Sequence, residues 1–269
     1  MGDLDQRFAR RRRLEAPRLT DFDAAVLAPE ARAAALLVWG RRVSNETASC
    51  EVARRLEETA RALSLDDVVL RSLQRLRDDE ETHAALAREM VRLLGRHDFA
   101  AADVLGPLPA ESSARSFVRQ VVAALCIAES VSAARYAAVR EATDLPVPHA
   151  CIDLFLRDEV LHGRLGFDLL PVATARLEEE EGKAEALVFT LAIIKETLLA
   201  FDLGVGLDSE RRGMPEARPQ PAGNPGIVEP AIDALAFYDA VLRTILPSFE
   251  AAGIPATEVW RRRFTTPRD

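Results

Sequence analysis

The stretch Asp79-Glu80-Glu81-Thr82-His83 recurs later in the chain as Asp158-Glu159-Val160-Leu161-His162, so the pattern Asp-Glu-x-x-His occurs twice. In each copy the Glu and the His are three positions apart, which places both side chains on one face of an α-helix. A carboxylate and an imidazole on one helical face can bind the same metal ion. The repeat therefore predicts a fold built from helices that meet around two metal ions.

The pattern is too specific to be a coincidence of composition. Only four His residues occur in the chain, and two of them follow it. Random placement would put a Glu three positions before at least two of the four about one time in twenty. Requiring an Asp directly before both Glu residues lowers that chance by a further factor on the order of a hundred. His97 and His149 have no partner pattern and are not predicted ligands.

Apolar residues recur at alternating spacings of three and four through four segments, while strand patterns are nearly absent. We therefore predict an all-α fold. The second helix is expected to begin at Ser64, as in a capping box, and the fourth is expected to break or kink at Pro171. The four segments are residues 29–63, 64–95, 118–136 and 148–170.

A single Glu interrupts each apolar stripe, and a His joins it in the second and fourth. A carboxylate on a buried helical face is costly unless it has a partner. The two halves also repeat, because Glu46-Thr47-Ala48-Ser49 resembles Glu129-Ser130-Val131-Ser132. Each half therefore offers one Glu followed by Glu-x-x-His. The predicted metal ligands, which would also form the catalytic centre, are Glu46, Glu80, His83, Glu129, Glu159 and His162.

Composition narrows the class of protein. The chain has 269 residues, a net charge of −8 and a pI near 5.2, which argues against a surface that binds nucleic acid. Its three Cys residues form no CxxC pair, which indicates a reduced, cytoplasmic protein. The longest apolar run, residues 186–204, is interrupted by charged residues, and no secretory signal is visible, so no membrane partner is expected.

Composition also divides the chain into parts. Residues 1–22 contain the basic run Arg10–Arg13 and are expected to form a flexible arm. Residues 23–203 would form the di-metal helical bundle together with a fifth helix. Residues 204–228 are rich in Gly and Pro and are expected to form a surface loop, whereas residues 229–269 would form helices packed on the bundle.

The ligand pattern resembles that of the ferritin-like di-iron carboxylate superfamily over roughly residues 30 to 170. In that superfamily two helices each provide a Glu and two others each provide Glu-x-x-His. The resemblance implies a ferritin-like four-helix bundle with additional C-terminal helices. It also implies that Glu80 and Glu159 bridge two iron ions, or a Mn/Fe pair.

The Asp residues that precede the two motif Glu residues extend the resemblance. In several oxygen-activating members of the superfamily, this Asp hydrogen-bonds a metal-bound His of the opposite motif, which fixes the tautomer of the ring and makes the ligand more basic. By that resemblance, Asp79 pairs with His162 and Asp158 pairs with His83, outside the metal ligands themselves.

At single positions, this chain has residues that differ from those characteristic of three subfamilies of this superfamily. Ala87 stands where the small subunit of ribonucleotide reductase has its radical Tyr, and Phe155 stands where arylamine N-oxygenases have a third His. Ser132 and Ala133 occupy the region of the further Glu ligand of rubrerythrins. Tyr136 is expected to pack in the core rather than to carry a radical. An oxidase or oxygenase without the marks of these subfamilies remains.

The resemblance implies an enzyme that uses O2 as co-substrate to oxidise a small organic molecule, with electrons from a separate reductase or from the substrate. Small residues near the predicted site, Ser49, Cys50, Ser132 and Ala133, would leave room for that molecule. Two alternatives share the ligand order: a ferroxidase or iron-handling protein, and a tRNA-modifying hydroxylase, against which the acidic charge argues. A third is an interaction protein in which the site only stabilises the helices. A homodimer is compatible with all of these.

Overall fold

The computed structural model describes residues 17–102, 111–211 and 223–264. Over these residues the secondary structure is entirely helical, without a strand, which confirms the predicted all-α class. Two short 3-10 turns, Leu19–Asp21 and Ala24–Val26, precede the first long helix. The other elements are α1 (Pro29–Ala62), α2 (Asp67–Leu93), α3 (Ala114–Gln120), the π-helix π1 (Val121–Glu129), α4 (Ser130–Ala142), α5 (Pro146–Glu181), α6 (Lys183–Arg211), α7 (Pro230–Ala240), the π-helix π2 (Val241–Ile245), α8 (Leu246–Ala251) and α9 (Ala256–Arg261).

Two helical hairpins form the centre of the described fold. Helix α1 packs along α2, and π1 with α4 packs along α5, while α2 and α5 contact each other between the hairpins. Helix α6 covers π1 and α5, α7 lies against α4, and α9 returns to α6. The C-terminal helices therefore pack on the same core that carries the predicted ligands.

The predicted ligands form a polar layer between two apolar clusters. On one side, the first half of α1, the end of α2 and the start of α5 pack around Trp39, Met90 and Phe155. The cluster on the other side is centred on Leu73 and Phe249. It is formed by the second half of α1, the start of α2, π1, the end of α5 and the C-terminal helices. Close packing on both sides restricts the movement of the polar side chains between the clusters.

The connection between α1 and α2 differs from the sequence prediction. Ser64 adopts a φ of 56°, in the left-handed region, and the Leu65 amide donates to the Ala60 carbonyl at 3.0 Å. This geometry ends a helix, so Ser64 terminates α1 instead of starting α2. Helix α2 begins at Asp67, after Asp66 as its N-cap residue.

Pro171 does not end α5, which continues from Pro146 to Glu181. A Pro in a helix interior removes one backbone hydrogen bond and costs roughly 3 kcal/mol. Fully buried neighbours, including Leu169 and Ala173, pack into the apolar cluster on either side of it, and their burial offsets that cost. The predicted break is therefore wrong, because packing outweighs local propensity here.

The prediction of a surface loop over residues 204–228 needs correction at both ends. Helix α6 continues to Arg211, and residues 212–222 lie outside the described residues. The following residues, 224–227, are buried. The indole of Trp39 and the guanidinium of Arg42 each donate to a backbone carbonyl of this segment, at 2.8 and 2.7 Å. These hydrogen bonds hold the segment in the fold.

The predicted basic arm lies largely outside the described residues, which begin at Pro17. Leu19 and Phe22, which the sequence assigned to the arm, pack against the apolar cluster around Trp39. The end of the arm therefore belongs to the fold, because these apolar side chains are stabilised by burial.

One helical stretch of the described chain, Ala114–Ala142, is long and apolar enough to cross a membrane on length and composition alone. Most of this stretch is buried inside the fold, where it packs against α5 and α6. A buried core helix passes the same test, so its position accounts for its apolar composition.

Gly166 lets α5 approach the backbone of π1. A Cβ at this position would lie 2.6 Å from both the Cys126 nitrogen and the Leu125 carbonyl carbon. Backbone atoms cannot turn aside as a flexible side chain would, so Gly166→Ala is expected to destabilise the protein by about 1–3 kcal/mol in urea unfolding. Gly204→Ala on α6 is the control, since no atom lies within 4 Å of the added methyl group. Equal unfolding midpoints for the two variants would contradict the close approach.

Candidate metal centre

The six sequence-predicted ligands converge in one buried layer. None of them is more than 7% exposed to solvent. Four acidic side chains at this depth need compensation, because an unpaired buried charge is costly. Helices α1, α2, π1 and α5 contribute, in that order, Glu46, Glu80 with His83, Glu129, and Glu159 with His162.

The ligand atoms fall into two overlapping groups, each of which could hold one metal ion. The first metal position is formed by Glu46, Glu80, His83 and Glu159, and the second by Glu80, Glu129, Glu159 and His162. Within each group, one ligand atom of every residue lies within 4.8 Å of the others. Glu80 and Glu159 belong to both groups, as carboxylates that bridge two neighbouring metal ions must.

Both imidazole rings present Nδ1 to the carboxylates. His83 Nδ1 lies 3.5 Å from Glu46 Oε2 and 3.7 Å from one oxygen each of Glu80 and Glu159. His162 Nδ1 lies 3.0 Å from Glu80 Oε1 and 3.8 Å from Glu159 Oε2. Nδ1 is therefore the atom of each ring that would bind a metal ion, which leaves Nε2 to donate a hydrogen bond.

Several atoms of this layer are buried without a hydrogen-bond partner among the described residues. They include Nδ1 of His83 and of His162, both oxygens of Glu80 and Oε2 of Glu159. An unsatisfied buried polar atom costs about 1–3 kcal/mol, so native proteins contain few of them. All five belong to residues of the two ligand groups. A pair of metal ions would satisfy every one, so the residues present fit such a pair.

The two Asp residues lie behind the imidazoles, in the pairs that the resemblance implies. Asp158 Oδ2 lies 3.3 Å from His83 Nε2, within hydrogen-bond distance. Asp79 faces His162 but does not hydrogen-bond it, because Asp79 Oδ2 lies 3.6 Å from His162 Nε2 and both atoms lack a hydrogen-bond partner among the described residues. The other oxygen of Asp79 accepts from Arg75 Nε at 2.9 Å. Each ring thus has a carboxylate on the side that faces away from the metal positions.

Burial shapes the pKa values of the carboxyl groups in the metal-free protein. It raises the pKa of Glu46 to about 7. Burial, together with the charge on Glu159, raises the pKa of Glu129 well above its usual value. Burial also acts to raise the pKa of Glu80, but contacts with the two imidazoles outweigh it and lower that pKa. Glu80 therefore stays ionised, while Glu46 and Glu129 hold a proton more readily than an exposed Glu does.

For the two imidazoles, the effect of neighbouring carboxylates on the pKa exceeds the effect of burial. Burial alone would lower the pKa of His83 and of His162, but neighbouring carboxylates raise both pKa values well above the usual range. The largest of these contributions comes from Asp158 for His83 and from Asp79 for His162. In the metal-free protein both rings therefore carry protons that a metal ion must displace.

Tyr136 belongs to the site, although the sequence predicted only a packing role for it. Its hydroxyl donates to Glu46 Oε1 at 2.5 Å, and its side chain is buried. The ring packs edge-on against Phe155, and the guanidinium of Arg42 lies 5.9 Å from its centroid. Its place on an apolar stripe, seven residues after Glu129, is the only indication in the sequence. Helical periodicity does not reveal which facing helix a hydroxyl reaches.

The π-helix π1 is the second feature that the sequence does not reveal. It occupies Val121–Glu129 and ends on the predicted ligand. π-helical segments are rare and are frequently found at functional sites. The apolar residues of this segment would fit a buried α-helix equally well, so its composition gives no indication of the π-helical backbone.

Four small residues follow Glu46 and Glu129 by one helical turn, in each half of the repeat. The hydrogen bond from Tyr136 links α4 to Glu46 on α1. Ser49 and Cys50 on α1 and Ser132 and Ala133 on α4 are each partly exposed. Solvent therefore reaches the residues that the sequence predicts to leave room beside the ligands.

Asp158→Ala is expected to weaken metal binding by about 10–100-fold, because it removes the hydrogen-bond partner of His83. Asp79→Ala is expected to have the smaller effect, since Asp79 lies farther from its His. Competition with a chelator of known affinity measures both losses. Asp153→Ala on the same helix is the control, because Asp153 pairs with Arg140 at the surface. Unchanged metal affinity in Asp158→Ala would refute the role assigned to this residue.

Comparisons of this chain with protein-family models, with curated proteins and with solved structures find no match.

Proposed function

We propose that this chain is an O2-activating di-iron oxidoreductase that oxidises a small organic substrate, with a Mn/Fe pair as the alternative metal content. The observation that carries the proposal is the pair of overlapping ligand groups that share Glu80 and Glu159. Carboxylate and imidazole donors suit iron and manganese ions. The corresponding fold is a ferritin-like four-helix bundle, in which two helices each give a Glu and two others each give Glu-x-x-His.

The protein's own residues would bind, orient and shield the metal pair. When bound, the two ions would supply electrons to O2 and share the charge of the reduced oxygen. Asp79 and Asp158 would orient the two imidazoles, and the apolar clusters on both sides would keep bulk water away from the reacting groups. The sequence contains no flavin or NAD fingerprint, so a separate reductase or the substrate would provide the electrons.

The partly exposed small residues at Ser49, Cys50, Ser132 and Ala133 favour an organic substrate over iron handling alone. Each lies three or four positions after Glu46 or Glu129, one helical turn along the same face, which would let a small molecule approach the metal positions. The net charge of −8 disfavours a tRNA substrate. A cytoplasmic enzyme with a separate reductase remains the proposal.

Anaerobic reconstitution with Fe(II), followed by a single reaction with O2, tests the function. We expect about two iron ions per chain, the stoichiometry of a bimetal site. We also expect a transient absorbance that decays faster with one member of a panel of small amines and carboxylic acids. Uptake of iron far beyond that stoichiometry, with mineral formation, would identify an iron-handling protein instead. Fewer than about two bound metal ions per chain would overturn the metal pair itself.

A further inference from the structure

We infer that Tyr136 makes the two metal positions inequivalent. It fixes Glu46 at the first position, and it leaves Glu129 at the second position as the carboxylate that gives way when an exogenous ligand binds. This inference rests on the proposed metal pair and adds to it the position at which a small anion, or an oxygen atom of the substrate, would coordinate.

At the first position, one oxygen of Glu46 is committed to Tyr136. The Tyr136 hydroxyl donates to Oε1 at 2.5 Å, while Oε2 lies 3.5 Å from His83 Nδ1, on the side of the metal position. A hydrogen bond to a carboxylate is among the stronger ones in proteins, and burial strengthens it further. Glu46 would therefore bind a metal ion through Oε2, and it could not rotate without breaking this hydrogen bond.

Tyr136 is itself held by its surroundings. Phe155 packs edge-on against the ring at a centroid distance of 5.4 Å, and the guanidinium of Arg42 lies 5.9 Å from the ring centroid. Arg42 in turn donates to the backbone of the buried segment at residues 224–227. Because these contacts hold the ring in place, the Tyr136 hydroxyl has a fixed position and restrains the rotation of Glu46.

The second position lacks the equivalent hydroxyl. The internal repeat equates Glu46 with Glu129, and the residue seven positions after each is Ala53 in the first half and Tyr136 in the second. Ala53 is 1% exposed and has no polar group to offer. Among the described residues, no hydroxyl donates to Glu129, whose carboxyl group lies in the second ligand group with those of Glu80 and Glu159. Glu129 would therefore be held chiefly by its metal ion.

The backbone adds a second difference between the positions. Glu46 lies inside α1, whereas Glu129 is the last residue of π1. A π-helical segment departs from regular α-helical hydrogen bonding and is frequently found at functional sites. Of the two unshared carboxylates, Glu129 thus lacks a hydroxyl partner in the described structure and also lies on irregular backbone. Both features indicate that Glu129, at the second position, moves more easily than Glu46.

Cobalt substitution combined with azide tests this inference. Titration of the metal-free protein with Co(II), followed by visible absorption and magnetic circular dichroism, should show two spectroscopically distinct ions per chain. Azide should change only one of them, and Glu129→Ala should lack the azide-sensitive ion. Tyr136→Phe keeps the ring and removes only the hydroxyl. It should weaken the first position for Co(II) by about 10–100-fold and make both ions respond to azide.

The chain's other tyrosine is the matched control. Tyr238 also donates to a carboxylate, Asp202 Oδ1, at 2.7 Å, but outside the ligand layer, so Tyr238→Phe should leave the Co(II) spectra unchanged. An equal azide response of both ions in the wild type would overturn the inference and leave the metal pair standing. Unaltered spectra of Tyr136→Phe would do the same. Fewer than two Co(II) ions per wild-type chain would instead overturn the proposed function.

Discussion

Replacing Glu80 with Ala is expected to abolish metal binding at both positions, together with any O2 consumption. Glu80 belongs to both ligand groups, and both of its oxygens are buried without a hydrogen-bond partner. Although burial acts to raise its pKa, the two imidazoles lower it, so this carboxylate is ionised and ready to bind. The loss of affinity should exceed the roughly 100-fold that removing the hydrogen-bond partner of a ligand can cause.

Variants at the unshared ligands provide the contrast. Glu46→Ala should leave one metal ion per chain, because Glu46 belongs to the first group only. Metal analysis after anaerobic loading with Fe(II) measures the content of each variant. Glu81→Ala is the matched control, since Glu81 is the next residue on α2 and its side chain is 63% exposed. Equal metal content in Glu80→Ala and Glu81→Ala would show that the ligand grouping is wrong.

The ligand set could be anticipated from the sequence because helical periodicity converts spacing into a shared face. Glu80 and His83 are three positions apart, so any regular helix keeps them together. The apolar residues Leu76 and Ala87 before and after them point the same face towards the core. The structure brings the six residues into one layer, while their role as metal ligands stays a prediction.

Contacts between distant segments could not be anticipated in the same way. The hydrogen bond from Tyr136 to Glu46 depends on how α4 is rotated against α1, and the π-helix that precedes α4 alters that rotation. The burial of residues 224–227 depends on donors from Trp39 and Arg42, which are far away in sequence. Local composition records neither relation, so it predicts core packing in the first case and a surface loop in the second.

Metal-free protein is expected to become more stable as the pH falls from about 9 to about 5, by about 3 kcal/mol or more. Burial raises the pKa of Glu46 from 4.5 to about 7, and it raises that of Glu129 as well. Such groups bind protons more tightly in the folded state, so their contribution to stability falls as the pH rises through this window. The pKa values of His83 and His162 are raised as well. Their contribution to the stability of the fold is therefore fully present below pH 6.5 and is lost as the pH rises through their folded-state pKa values.

Glu80 changes the pH dependence of stability in the opposite direction, but only below the range from about pH 5 to about pH 9. Burial opposes the shift, yet the two imidazoles lower the pKa of Glu80, so its stabilisation is lost only as the pH falls below its ordinary value of 4.5. Thermal unfolding of chelator-treated protein across the pH range measures the net dependence. A metal-free protein whose stability rises towards about pH 9 would contradict the assigned protonation states.

Metal binding should reverse the sign of this dependence. A metal ion needs neutral imidazoles and ionised carboxylates, so binding releases protons and strengthens as the pH rises. The difference in unfolding temperature between loaded and metal-free protein should therefore widen with pH.

Glu129→Gln should raise the stability of the metal-free protein at about pH 8, because it removes a buried carboxyl group whose pKa is raised. The same substitution should weaken the second metal position. In a purely structural cluster the same substitution would destabilise the protein, so a less stable metal-free Glu129→Gln would argue against a metal centre.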